Sequence, residues 1–426
     1  MSSIATFTQL DTIAAVRAVY HTLCKIDERL VEHGDRVAFI ACELCDEGNL
    51  NMDIKTLFLI SAFHDIGAYK TDEIDRMLEF ETQSVWNHSV YGYLFLKYMT
   101  PLRDYADAVL YHHASWKEIQ NRHIKCGDYA ALIHLADTID IVRPYGEDSP
   151  QLNSLLHNAE GLFNEEHVRI FRQCYKKRRL FERIEDNSFL HCNLDRCSGF
   201  ITSASEAMEF LKMIVYTIDF RSEFTVTHTI NTVSIALNIA SHFGLDKSQQ
   251  ENIYLGALLH DVGKIAISED ILEYPGRLSD EQMAIMRTHV KETEDIIKGI
   301  VSDEICQIAI RHHEKLDGTG YPYGLHGEEL TLPQRIVAVA DIVSALCSRR
   351  SYKEPFPKER TLNILNQMSN TQLDKSVCQY IIDNFDRIIL TTEEDRKNVI
   401  KMYRKIISEF HEMSATSNND KDRGTY

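Results

Sequence analysis

One ordered series of metal-ligand residue types occurs twice in this chain, about 200 residues apart, and that repeat constrains the fold more than any other feature. The C-terminal series runs His228, His260-Asp261, His289, His312-His313 and Asp341; the N-terminal series runs His33, His64-Asp65, His88, His112-His113 and Asp137. Matching positions are offset by 195 to 204 residues, so only short loop changes separate the two registers. Self-similarity of this kind marks an internal duplication. A single histidine is more often a packing residue than a ligand, but ten of the 19 histidines fall in the two series. Five imidazoles and two carboxylates at intervals suited to successive helices can surround a pair of divalent cations.

Between its ligands the C-terminal copy also carries Gly263-Lys264, Glu314, Asp317-Gly318 and Gly320-Tyr321-Pro322, and beyond Asp341 it carries Arg350 and Lys353. This segment, roughly residues 215 to 390, resembles the HD-GYP family, a branch of the HD phosphohydrolases. The resemblance implies metal ligation by His228, His260, Asp261, His289, His312, His313 and Asp341. It places Lys264 on the family's catalytic lysine and Arg350 and Lys353 on positions that bind the phosphates of a cyclic dinucleotide, with Tyr321 beside the substrate. Phe224 stands where some members have a third-metal glutamate, so two metals are expected here. Tyr274 and Ser344 are further departures, at positions where the family often has lysine and aspartate.

The residue chemistry leads to a similar site. Imidazole nitrogen is a good ligand for first-row transition metals, and Asp261 can bridge two of them. Two metals roughly 3.5–4 Å apart polarise a phosphodiester for in-line attack by water. Lys264, about a turn past Asp261, can offer its ammonium to the charge that builds on phosphorus oxygens. The expected activity is a metal-dependent cyclic dinucleotide phosphodiesterase acting on 3′,3′-cyclic GMP-AMP and/or cyclic di-GMP. The expected product is the linear dinucleotide. The tandem arrangement is similar to bacterial 3′,3′-cyclic GMP-AMP phosphodiesterases. The alternative is a cyclic dinucleotide receptor with little turnover. Iron or manganese is the expected metal, with nickel or zinc also accepted by such ligands.

The first copy departs where chemistry would be decided. Ala68 stands where the second copy has Lys264, and Ala114-Ser115-Trp116 follows His112-His113 with no Gly-Tyr-Pro. It reads as a degenerate HD domain that keeps a second metal site and regulates, dimerises or senses. Its partner would be a second copy or a regulatory protein.

Helical periodicity predicts an all-α chain: two HD-type domains at 1–185 and 215–412, a helical or irregular linker at 186–214, and a disordered polar tail at 413–426. Asp246 and Gln249 form a capping-box pattern opening the helix that leads to His260-Asp261. Gly244 suits the stop of the helix before it, and Asp317 to Pro333 reads as a loop over the metals.

A net charge of −18 opposes generic binding to DNA, RNA or anionic lipid. A small dianion needs only a local cationic cluster. The basic run Lys176 to Arg179 is read as a solvated helix face, and Cys42 and Cys45 as packing residues. No apolar stretch reaches the roughly 18 residues of a membrane helix and no signal peptide opens the chain, so a cytoplasmic protein is expected.

Overall fold

The computed structural model describes residues 22, 25, 27–70, 86–146, 149–157, 161–198, 208–213, 215, 223–272, 274–348 and 354–421. Among them there are helices and loops but no strand, only two isolated bridges, Lys298–Val301 and Asp317–His326. None of the described helices is long and apolar enough to cross a membrane. The chain divides into two units, one of residues 27–202 with 406–426 and the other of residues 1–26 with 203–405.

The N-terminal unit is built around α1 (Glu28–Gly48), whose first turn is capped by the Asp27 carboxylate and whose end turns at Asn49 in the left-handed region. Val37 to Cys42 are wholly buried, so this stretch of the helix is apolar all round and occupies the centre. Against it pack α2 (Ile54–Ala62), α5 (Gly127–Val142), α6 (Glu165–Lys177) and α8 (Phe189–Ser198), while α3 (Trp86–Met99) packs on α4 (Ala106–Leu110), α4 on α5, and α7 (Leu180–Glu185) on α6. Cys42 and Cys45 are buried, unpaired thiols, and burial pushes the Cys45 thiol up to about 11.

Lys176, Lys177 and Arg179 of the basic run are exposed, as a solvated face would be, while Arg178 is half-buried. Lys177 and Arg178 reach Glu47 at 2.6 and 2.9 Å, and Arg178, Arg183 and Arg196 converge on the buried Glu43 carboxylate at 3.0, 3.1 and 2.8 Å. The last turn of α1 is acidic, the wrong sign for a helix C-terminus. Cations from α6, α7 and α8 compensate it. Residues 189–198, expected to be connector, are therefore a helix tied to α1, and Asn193 also donates to the Asp35 carbonyl at 3.0 Å.

The second unit repeats the plan with α9 (Glu223–His242), α10 (Lys247–Leu259), α11 (His289–Ile297), α12 (Asp303–Ile310) and α13 (Leu332–Cys347). Helix α9 packs on α10 and α13, and α10 on α12. Gly244 adopts φ 67° and stops α9, and Asp246 with Gln249 closes the capping box that starts α10. Both copies extend past the last ligand through a side-chain-capped helix, with Asn164 and Asp374 as the caps. The last helix, α14 (Lys375–Lys421), has a break at Asn384 and continues through much of the segment expected to be a disordered tail. Its end lies in the N-terminal unit, where Glu409 meets Lys97 at 3.0 Å and Tyr98 at 2.6 Å.

Candidate metal centre

Helix α10 stops at Leu259, and a 3-10 turn over Val262–Ala266 follows His260 and Asp261. The tighter turn matters because side chains three apart eclipse in it. Lys264 is thereby brought directly over Asp261, and its Nζ donates to Asp261 Oδ2. The turn lies so close to α11 that a Cβ at Gly263 would sit 2.0 Å from the His289 carbonyl oxygen. The N-terminal copy shares the constraint, since a Cβ at Gly67 would sit 2.0 Å from the His88 carbonyl. Thr293 locks the junction by accepting from the Gly263 amide at 2.9 Å and donating to the His260 carbonyl at 3.2 Å.

The seven expected ligands of the C-terminal copy converge. Asp261 Oδ2 faces His228 Nε2 at 3.6 Å and His260 Nε2 at 3.2 Å, while its other oxygen faces His289 at 3.5 Å and His312 at 3.9 Å. Asp341 lies 3.0 Å from His228 and 3.7 Å from His313. Asp261 thus presents one oxygen to each of two imidazole groups, the arrangement a bridging carboxylate needs.

The chemistry of the donor set fits divalent cations. His260, His289 and His312 turn Nδ1 to the carbonyls of Ala257, Met286 and Ala309 at 2.7, 2.7 and 2.6 Å, which leaves each Nε2 facing inward. Such backbone partners fix the tautomer and orientation of a ligating ring. His260 Nε2 and Asp261 Oδ1 are buried without a hydrogen-bond partner, and His289 and His312 bring their Nε2 atoms within 3.4 Å of each other. Burial keeps the pKa of His228, His289, His312 and His313 low, that of His313 at about 3. Burial opposes ionisation of Asp261 and Asp341, but His260 and Lys264 beside the first and His228 beside the second outweigh it and hold both below the usual carboxylate range. Neutral imidazoles at these four positions around ionised carboxylates are the protonation states metal binding requires, while Asp261 outweighs burial at His260 and raises its pKa.

Ser344 is a further positioning residue. Its hydroxyl, wholly buried, lies 2.9 Å from both His228 Nδ1 and the His228 carbonyl. Donating to that carbonyl, it accepts Nδ1–H and leaves the Nε2 lone pair free for a cation in the cage, beside Asp341 at 3.0 Å. In the first copy the same place holds Asp140, which accepts from His33 Nδ1 at 2.8 Å and from Arg36 at 2.8 Å. Burial would lower the His33 pKa, but Asp137 and Asp140 raise it to about 10. Neither orienting role is readable from ligand types alone, although both residues stand three positions past the last ligand.

The N-terminal copy assembles its seven residues too. Asp65 turns Oδ2 to His33 and His64 at 3.7 and 3.2 Å and Oδ1 to His88 and His112 at 3.6 and 3.3 Å. His113 is 3.8 Å from Asp137, and His88 and His113 bring their Nε2 atoms within 3.1 Å. Ala68 is buried in place of the lysine.

Over the C-terminal site, the Tyr321 ring centre lies 4.6 Å from that of His313, and the Arg287 guanidinium lies 4.9 Å from the centre of the Tyr321 ring. The loop is pinned by Glu314, a buried carboxylate that accepts from the Tyr323 and Leu325 amides at 2.7 and 3.0 Å. Arg350 and Lys353 lie outside the described residues.

Residues 30–142 match the family model of the HD domain, and residues 212–377 match a second HD domain model. The chain belongs to the HD-domain family. Its C-terminal HD domain carries the Gly-Tyr-Pro loop of the HD-GYP branch. The 3′3′-cGAMP-specific phosphodiesterase 1 of Vibrio cholerae serotype O1 is 29% identical over 83% of this chain and 87% of its own length. The cyclic di-GMP phosphodiesterase response regulator RpfG of Xanthomonas campestris pv. campestris is 38% identical over 37% of this chain and 42% of its own. The crystal structure of a cyclic GMP-AMP specific phosphodiesterase of V. cholerae shares the fold, with a TM-score of 0.53 at 16% identity, covering 88% of this chain and 97% of that one.

Proposed function

We propose that the chain is a metal-dependent phosphodiesterase of cyclic dinucleotides, opening 3′,3′-cyclic GMP-AMP and/or cyclic di-GMP to the linear dinucleotide in its C-terminal HD domain. The observation that carries this reading is Asp261, whose two oxygens face two imidazole sets while Lys264 is eclipsed over it. The names of the relatives support the substrate class.

His228, His260, His289, His312, His313 and Asp341 would hold two divalent cations about Asp261, with iron or manganese fitting the nitrogen-rich set. Such a pair supplies Lewis acidity at phosphorus and an acidified water for in-line displacement. Lys264 carries a positive charge at the edge of the cage, where it stabilises negative charge growing on the phosphoryl oxygens. Tyr321, packed on His313, walls the substrate side. Arg350 and Lys353 complete the reading as phosphate partners.

The N-terminal HD domain would hold metal through its own seven residues without hydrolysing, because Ala68 stands where the second copy has its lysine. Its role is regulatory.

Protein reconstituted with manganese or ferrous iron tests the proposal on 3′,3′-cyclic GMP-AMP, cyclic di-GMP and cyclic di-AMP. Linear product should vanish in His260→Ala/Asp261→Ala and persist in His64→Ala/Asp65→Ala. Absence of hydrolysis by metal-loaded wild type, with binding retained, would make the chain a receptor. Absence of binding as well would end the cyclic dinucleotide reading.

A further inference from the structure

We propose that the N-terminal HD domain carries a separate small-molecule site, a cleft beside Trp116 that takes an uncharged purine base or nucleoside. The duplication supplies the internal control. From the paired histidines to the last ligand, the N-terminal copy is four residues shorter than the C-terminal one. Both segments begin alike: the Trp116 amide donates to the Leu162 carbonyl at 2.8 Å, and the Leu316 amide to the Gln372 carbonyl at 2.9 Å. They then diverge. The C-terminal copy continues into the Gly-Tyr-Pro loop, whereas the N-terminal copy forms a helix over Trp116–Arg122, capped by Ser115.

Under that helix lies a cleft of about 860 Å³, within the range of small-molecule sites. Its walls are fixed. The start of α5 comes so close that a Cβ on Gly127 would lie 2.5 Å from the Ile119 side chain. Tyr129, on the same wall, accepts from the Asp53 amide at 2.9 Å and meets Tyr105 edge-on at 5.3 Å.

The lining differs from the second copy in chemistry as well as shape. Trp116 replaces Leu316, and His167 stands at the position of Val377, each three residues past the matching caps Asn164 and Asp374. His167 lines the cleft, is only 3% exposed, and its Nδ1 has no hydrogen-bond partner. A buried imidazole costs stability where valine would serve the packing, so its polar atoms call for a function. According to its tautomer the ring can offer either an N–H donor or a nitrogen acceptor.

Trp116 and Tyr129 offer aromatic surface, while Gln120, Asn164 and Asp128 offer amide and carboxylate oxygens. No lysine or arginine lines the cleft, and Asp128 and Glu166 do. Phosphate is disfavoured by that charge. A flat ring with both N–H donors and a ring-nitrogen or carbonyl acceptor matches it, which is the chemistry of a purine. The proposal does not rest on the phosphodiesterase reading.

The test is equilibrium dialysis of the full chain against adenosine and guanosine, with AMP, GMP and spermidine as comparators, followed by Trp116→Ala and His167→Val. A nucleoside should bind at sub-millimolar concentration, more tightly than its monophosphate, and Trp116→Ala should weaken it about tenfold, as loss of a stacking platform does. His167→Val uses the residue the second copy already has, so the fold is retained and binding should fall; a melting curve checks the fold. His260→Ala should leave binding unchanged. Failure of both nucleosides to bind at millimolar concentration overturns the proposal. So does binding that follows His260 rather than Trp116, equal binding of the monophosphates, or preference for spermidine.

Discussion

Removing the Ser344 hydroxyl tests how the C-terminal centre is oriented. In Ser344→Ala the His228 carbonyl still accepts from Thr232 at 3.0 Å, so the loss falls on His228 Nδ1, whose partner at 2.9 Å is gone. An unsatisfied buried ring N–H costs about 1–3 kcal/mol. Loss of an outer-shell partner of a ligating histidine typically weakens metal binding about 10–100-fold, the same range expressed as affinity. Ser344→Asp should act oppositely, since it recreates the His33–Asp140 pairing of the first copy, in which a carboxylate makes the ring more basic. The assay is competition for manganese or zinc against a fluorescent chelator, in a His64→Ala/Asp65→Ala background so that only the C-terminal centre titrates. An affinity for Ser344→Ala within about threefold of its parent, well short of the range for outer-shell loss, would refute the argument. Equal behaviour of the alanine and aspartate variants would refute it too.

Three further outcomes follow from other contacts. Glu43→Gln leaves Arg178, Arg183 and Arg196 around a neutral amide in a buried place, and should lower the stability of the N-terminal unit by about 3 kcal/mol in chemical denaturation. His167 has its pKa pushed from 6.5 to about 4 by burial, so the unfolded chain binds the proton more readily. Its contribution is complete above pH 6.5 and is lost as pH falls towards 4, and His167→Val should flatten that limb of the denaturation-midpoint profile. Ending the chain at Lys405 removes Glu409 from Lys97 and Tyr98, and Phe410 from its 3.8 Å stack on Tyr91. The N-terminal unit should then melt earlier, with a red shift in Trp86 emission, because Trp86 also loses the Met413 carbonyl at 3.4 Å.

Much of the centre is legible in the sequence because a metal cage demands fixed residue types at fixed helical spacing. His228 to Asp341 and His33 to Asp137 all reach their cages, and the Asp246–Gln249 capping box forms as its pattern predicts. What is not legible depends on partners far apart in the chain. Glu43 draws arginines from 135 to 153 residues away, so the inward role of Arg178 in an otherwise exposed run is hidden until the fold brings α6 to the end of α1. The orienting layer is hidden for a related reason: Asp140 and Ser344 become informative only when the ring behind which each sits is known. The change from α-helix to 3-10 turn at His260 is likewise invisible to helical periodicity, since a turn of five residues is too short to show its own period.

That short turn also separates two traits that evolution can then treat independently. The glycine that lets it lie against the next helix and the aspartate at the centre of each histidine cluster are the same in both copies, while the eclipsing position is lysine in one and alanine in the other. After a gene segment doubled, one change at that position could disarm a copy without unfolding it or dismantling its cage. The retired centre then remains a stable, metal-shaped object on which selection can act for something other than hydrolysis.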